Sequence, residues 1–241
     1  MKLQQLLSLT RKAVYDYDLI EDGDKIAVGI SGGKDSLALL YALANLRRFY
    51  PKKFQLAAIT VHLGIDGMDF TPVKTLCEEL EVPYYIVKTQ INEIVFKERK
   101  EENPCSLCAK LRKGSLNEKA LELGYNKIAY AHHKDDVVET FLMSLTFEGR
   151  LHTFSPKTYL SKTGLTLIRP LIYIDESRII GFQNKYRLPV VKNLCPADGF
   201  TKREEMKQLV KEMNKRYPDY KERVFTAITH GELPDWAQRT V

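Results

Sequence analysis

The stretch KIAVGI SGGKDS LALLYAL, residues 25–43, decides how the chain is read. Lys25 to Ile30 has the length and apolarity of a buried strand, and the segment from Ser36 to Leu46 reads as a helix. Between the two stand Ser31, Gly32, Gly33, Lys34 and Asp35. Backbone N–H groups at a helix N-terminus form an anion site, and the helix dipole turns its positive end toward the ligand. Gly32 and Gly33 let the backbone approach phosphate oxygens with no Cβ in the way. Ser31 and Ser36 add hydroxyl donors, and Lys34 adds a positive charge. Asp35 repels phosphate unless a cation lies between them, so it either holds Mg²⁺ or caps the helix. The motif is neither G-x-x-x-x-G-K-[ST], because Asp35 follows Lys34, nor G-x-G-x-x-G.

Working outward, residues 2–17 read as a helix that turns at EDGD. FQLAAITV, Phe54 to Val61, is a second strand, apolar enough to be buried on both faces. Pro72–Leu80 reads as a helix and Tyr84–Lys88 as a strand. After the charged stretch FKERKEENP comes a helix, Leu107–Leu123, ending at Gly124. Lys127–Ala131 is a fourth strand and Asp135–Phe147 a helix. This alternation predicts an α/β fold, a parallel sheet with helices on both faces. Past Gly149 the pattern weakens. Residues 150–165 read as a loop, LTLIRPL as a short strand, Asp175–Tyr186 as a helix and Thr201–Arg216 as a basic helix followed by a tail. No repeat or linker interrupts the chain. It reads as a single domain, 1–241: an N-terminal helix at 1–20, a core at 24–150 and a helical extension from about 170 to 241 that carries Cys195.

The 241 residues are 44% hydrophobic and 28% charged, an ordinary globular composition. No apolar run approaches membrane-spanning length. The N-terminal MKLQQLLSLTRKAVYDYDLI is amphipathic, broken by charges and without a small-residue cleavage site, so the reading is a mature cytoplasmic protein. A net charge of +6 suits an anionic partner such as RNA or, equally, a solvated lysine-rich surface.

Four cysteines are present, Cys77, Cys105, Cys108 and Cys195. A cytosolic chain of this size needs no disulfide staple. In NPCSLCAKLRKG, the spacing i, i+3 puts Cys105 and Cys108 on one face of a helix start, where the dipole favours thiolates. Cys195 lies in KNLCPADG. Zinc with a fourth ligand, an iron–sulfur cluster, and a redox pair beside an unrelated Cys195 all remain open on spacing alone. Cys77, between apolar residues of a helix, reads as core.

SGGKDS resembles the PP-loop of the ATP pyrophosphatases, over residues 24–150. With CSLCAKLRKG, AHHKDD and NLCPADG, the chain is similar over nearly its whole length to the TtcA group, the tRNA 2-thiocytidine synthetases. The resemblance implies ATP and Mg²⁺ as reactants, a 4Fe-4S cluster on Cys105, Cys108 and Cys195, and a cytidine of the tRNA anticodon loop as substrate. It implies that Gly29, Ile30 and Ser31–Ser36 hold the nucleotide, with Lys34, Asp35 and Asp136 in the chemistry. Val61, His62 and Leu63 at the end of the second strand take the adenine, and Ala131 and Asp136 border it. Arg112 either reaches a phosphate or is an exposed helix arginine. The base carbonyl attacks the α-phosphorus, and sulfide from the open iron then displaces AMP. The expected donor of sulfur is a cysteine desulfurase, and a homodimer is left open.

Lys110, Arg112, Lys113, Lys202 and Arg203 are expected to meet the tRNA, with Lys207, Lys211, Lys215 and Arg216 continuing the basic helix. TtuA-type thiouridine synthetases share the C-x-x-C but carry further zinc-finger cysteines, which this chain lacks. A small-molecule PP-loop enzyme with zinc and a non-catalytic RNA-binding relative are the other classes. Iron content and AMP release would separate them.

Overall fold

Runs of β-branched and apolar residues separated by amphipathic segments build a sheet covered on both faces. The computed structural model describes residues 1–99, 104–192, 194–195 and 202–231. Parts of the FKERKEENP and KNLCPADGF segments, the first residue of the expected basic helix and the last ten residues lie outside the described residues.

After α1 (Leu3–Asp16) come β1 (Asp24–Gly29), α2 (Lys34–Leu46), β2 (Phe54–His62), α3 (Thr71–Glu79) and β3 (Tyr84–Lys88). A short α4 (Ile91–Glu93) runs on as a π-helical turn, Ile94–Glu98. The long α5 (Pro104–Glu122), β4 (Lys127–Ala129) and α6 (Lys134–Met143) follow, and α6 also continues into a π-helical turn, Ser144–Glu148. Then come β5 (Lys157–Leu160), β6 (Leu165–Ile168), α7 (Glu176–Tyr186), α8 (Lys202–Arg216) and α9 (Tyr220–His230).

The strand order is β3-β2-β1-β4-β6-β5. Every pairing is parallel except β5 with β6. Side chains alternate across the sheet. Ile26 and Val28 enter a large core with α1, α2, α3 and α7, while Ala27 enters a smaller one with Leu116 and Ala120 of α5. The large core also takes in Met206 and Val210 of α8 and Phe225 and Ile228 of α9.

Two expectations need correction. Residues 157–160 are not loop but an antiparallel edge strand, with Lys157 opposite Ile168 and Leu160 opposite Leu165. The segment after Arg216 is not a plain tail but carries α9, whose Phe225 packs edge-on against Tyr173 with ring centroids 6.1 Å apart.

The chain moves from β1 outward to β2 and β3, then returns to the other side of β1 with β4. Strand order therefore reverses between β1 and β4. The crevice beyond the carboxyl ends of the strands at such a reversal is where open α/β sheets hold ligands. SGGKDS leaves β1 there, and AHHKDD leaves β4 there.

Candidate active site

A cavity of about 360 Å³ opens at this reversal, a size suited to a small organic ligand. Gly29, Ile30, Ser31, Asp35 and Ser36 form one wall, and Val61 and Ile59 of β2 the floor. Ala109, Arg112, Lys113 and Leu116 of α5 close one side, and Tyr130, Ala131, His132 and Asp136 the other. A Cβ on Gly29 would stand 3.0 Å from Leu116 Cδ2 and 3.1 Å from Tyr130 Cε1, so a side chain there would fill the cradle.

The loop is internally braced. The Ser31 N–H donates to Ser36 Oγ at 3.2 Å, the Gly33 N–H donates to Ser31 Oγ at 3.2 Å, and Ser36 Oγ donates to the Gly33 carbonyl at 2.9 Å. Gly32 has φ +84°, and a Cβ there would lie 2.9 Å from Val191 Cβ. Its carbonyl accepts from the Val191 N–H at 2.9 Å, so residues beyond α7 sit directly on the loop. Gly33, the residue before α2, makes no side-chain cap, which leaves the helix's first N–H groups to a ligand or to water.

Acidic groups face the same space. The Asp35 carboxylate oxygen Oδ1 is buried and accepts no hydrogen bond, while His133 Nε2 stands 3.7 Å from it. Asp136 accepts from the His133 N–H at 2.9 Å and from Arg203 at 3.1 Å. Burial pushes the neighbouring Glu139 up to about 7, Asp136 adds to the rise, and Arg203 opposes it. His132 is held neutral: burial drives its imidazole down to about 3, and its Nδ1 accepts from Arg169 Nε at 3.2 Å.

Lys34 does not line the cavity. Its ammonium lies 3.1 Å from Asp35 and 2.9 Å from Glu176 at the start of α7. The other Glu176 oxygen meets Lys207 of α8 at 2.7 Å. Burial alone would raise the Glu176 carboxyl, but hydrogen bonds from Lys207 and Lys34 outweigh it and pull it to about 2. Two residues expected on an RNA-facing surface, Arg203 and Lys207, are thus paired with carboxylates of the chain itself. Arg203 reaches Asp136, Glu139 and Thr140.

The cysteines stand beside the cavity. Cys105 and Cys108 are one turn apart on α5, with Cys105 exposed and Cys108 and Cys195 half-buried. Burial pushes the Cys108 thiol up, the Arg112 guanidinium pulls it down, and the nearby Cys195 and Cys105 thiols push it up again. The three thiols are therefore electrostatic neighbours, although among the described residues no group of three His, Cys, Asp or Glu is already gathered as a metal site. As a donor set, three thiolates suit iron–sulfur or other soft-metal binding. Cys77 is fully buried, and burial pushes its thiol to about 12.

Of the expected binding residues, Gly29, Ile30, Ser31, Asp35, Ser36, Val61, Arg112, Ala131 and Asp136 converge on the cavity. Gly32, Gly33, Lys34, His62 and Leu63 do not line it. The carbonyl of His62 accepts from Thr89, and that of Leu63 from the Asn92 N–H at 2.8 Å. Sequence reasoning missed Glu176, Glu139, Tyr130 and Arg169. None carries a local signal, since each owes its place to contacts with segments distant in the chain.

A PP-loop fold with an acidic, loop-lined cavity at the switch point defines the class. Residues 3–213 match the family model described as the PP-loop domain, and the chain belongs to that family. Its curated relatives are more particular. The chain is 37% identical over 231 residues to the tRNA-cytidine(32) 2-sulfurtransferase of Geobacter sulfurreducens, covering 95% of this chain and 90% of that one. It is 39% identical to the protein of the same name from Pelobacter propionicus, covering 91% and 82%. One similar solved structure is the U34-tRNA thiolase NcsA from Methanococcus maripaludis with its 4Fe-4S cluster. It has a TM-score of 0.76 at 26% identity, over 93% of this chain and 76% of that one. The NH3-dependent NAD synthetase of Campylobacter jejuni shares the fold, with a TM-score of 0.51 at 15% identity over 95% and 92%. Among the described residues no helix is long and apolar enough to cross a membrane.

Proposed function

We propose that the chain is an ATP-dependent tRNA sulfurtransferase that activates C2 of an anticodon-loop cytidine and exchanges its oxygen for sulfur. The observation that carries this reading is the position of Arg112. It lines the cavity below the loop, and its charge also acts on Cys108 one turn earlier in α5. Nucleotide cavity and thiols are thereby joined in one site.

The N-terminal amides of α2, with Ser31 and Ser36, hold the departing pyrophosphate. Arg112, which lines the cavity, stabilises the charge that develops on the phosphates, and Lys34 joins it on leaving Glu176. The base carbonyl oxygen attacks the α-phosphorus and pyrophosphate leaves. Sulfide then adds to C2, and AMP departs with the former carbonyl oxygen. Asp35, with its unpartnered oxygen, and Asp136 would hold Mg²⁺, which offsets the phosphate charge. Cys105, Cys108 and Cys195 would hold a 4Fe-4S cluster, which supplies a Lewis-acid position for sulfide. A cysteine desulfurase is the proposed source of that sulfide, and the cytoplasm the proposed location.

The likeness to a U34-tRNA thiolase favours a second reading, in which the modified base is a uridine. Nucleoside mass spectrometry of tRNA from a deletion strain tests both. Loss of 2-thiocytidine, restored by the wild-type gene, is expected. Loss of a thiouridine instead would move the substrate to uridine, and unchanged thionucleosides would overturn tRNA thiolation altogether.

A further inference from the structure

α6 does not end in a regular cap. It loosens into the π-helical turn Ser144–Glu148 and closes on Gly149 at φ +63°, where the Arg150 N–H donates back to the Ser144 carbonyl at 3.2 Å. Such turns are rare and recur at functional sites. This one leaves residues 145–152 all exposed, including three large apolar side chains: Leu145 at 45%, Phe147 at 42% and Leu151 at 60%. A soluble surface seldom groups apolar residues this way without a partner.

The first turn of α8 shows which partner fits. Lys202 and Arg203 are adjacent, yet they point to different places. Arg203 runs inward to Asp136 at 3.1 Å, on the wall of the cavity. Lys202 stands over the Phe147 ring, its ammonium 4.6 Å from the centroid. Thr146 touches Met206 one turn further along α8, which fixes the two segments together. The exposed segment around Phe147 thus forms a rim against the first turn of α8, whose next residue reaches the cavity wall. Lys202 and Arg150 make no ion pair among the described residues: Lys202 lies over one side of the partly exposed Phe147 ring, and Arg150 follows three residues on in the same exposed segment.

We propose that this rim is a stacking platform for an unpaired base of the RNA substrate, with Lys202 and Arg150 on its phosphates. The inference rests on the tRNA reading above and deepens it. An enzyme that acts on a base edge must take that base out of its stack, and the lost stacking is replaced by an aromatic side chain. Aromatic faces flanked by cations are how proteins hold single-stranded nucleic acid whatever its sequence. A protein partner would favour an apolar centre depleted of lysine, which this rim is not.

The test compares Phe147→Leu, which keeps an apolar side chain without the ring, with Phe147→Trp, which keeps an aromatic face. Binding of tRNA and of an anticodon stem-loop is read by fluorescence anisotropy, and ATP binding by calorimetry. Phe147→Leu is expected to weaken RNA binding roughly five- to hundredfold, the range for losing one base–aromatic stack. Phe147→Trp should bind as wild type, with its indole emission quenched by RNA. ATP affinity should not change in either. Wild-type RNA affinity in Phe147→Leu overturns the inference, as does a dimer-to-monomer shift in sedimentation with RNA binding intact, which would make the rim a protein interface. Wild-type protein that binds no tRNA overturns the proposed function and this inference with it.

Discussion

Lys34, the cation of the phosphate loop, is held by Glu176 at 2.9 Å, and the same carboxylate holds Lys207 of α8 at 2.7 Å. One side chain thus ties the loop after β1 to a helix beyond residue 200. With Glu176→Gln, the half-buried Lys34 ammonium and the exposed Lys207 ammonium lose their shared counter-charge. A stability loss of about 1 kcal/mol at pH 7 is expected, because both ammonium groups keep access to water. The sign against pH follows from the depressed carboxyl. Its contribution is present above the ordinary value of 4.5 and is lost as pH falls toward about 2. The difference in urea midpoint between wild type and variant should therefore be full at pH 7 and shrink below 4.5.

Lys34→Ala removes the loop's cation. ATP-dependent AMP release in the presence of tRNA should fall a hundredfold or more, about 3 kcal/mol of transition-state stabilisation. Turnover at the wild-type rate would mean that Lys34 serves only Glu176.

Serine at Cys105, Cys108 or Cys195 should abolish the broad visible absorption of anaerobically reconstituted protein. Cys77→Ser should keep that absorption and lower Tm, because it puts a hydroxyl in a fully buried site. An intact spectrum in Cys195→Ser would remove Cys195 from the ligand set.

Glu139 carries the opposite sign to Glu176. Its raised carboxyl favours the folded state most strongly below about 4.5, and that contribution fades as pH rises through about 7. Glu139→Gln stays neutral throughout, so its stability relative to wild type should grow between pH 5 and pH 8. A constant offset across that range would show that Arg203 keeps Glu139 ionised.

Lys202 and Arg203 are neighbours in sequence with separable roles. Lys202→Ala should lower the log–log salt slope of tRNA binding by roughly 0.7 to 0.9 and leave ATP turnover at saturating tRNA unchanged. Arg203→Ala unpairs Asp136 and should reduce ATP turnover instead. Equal effects of the two on both measurements would contradict the division seen at the first turn of α8.

The parallel strands were legible because strands buried on both faces must be apolar, as FQLAAITV is. KTYL at 157–160 was not. It is a short, partly exposed edge strand, and among the described residues its only strand partner is β6. α9 was missed for a related reason: only Phe225 and Ile228 of its eleven residues are buried, too few for a periodic signal. At the site, Ser31–Ser36 could be read because a phosphate loop is local in sequence. The Lys34–Glu176–Lys207 bridge could not, since a glutamate opening a helix looks the same whether it faces water or a distant lysine. The basic helix is legible as a helix, but charge alone does not reveal that Arg203 pairs with Asp136 and Glu139 and Lys207 with Glu176.

The bond from the Val191 N–H to the Gly32 carbonyl has a consequence for the order in which the protein is made. A ribosome releases the phosphate loop among the first forty residues of the chain. The valine that seats it, and the Lys207 that completes its ion bridge, emerge only near the end. At synthesis rates of about 5–20 residues per second, the loop waits roughly ten to thirty seconds for its seat. A nascent chain tethered short of α8 would carry the whole SGGKDS motif and still lack a finished nucleotide site.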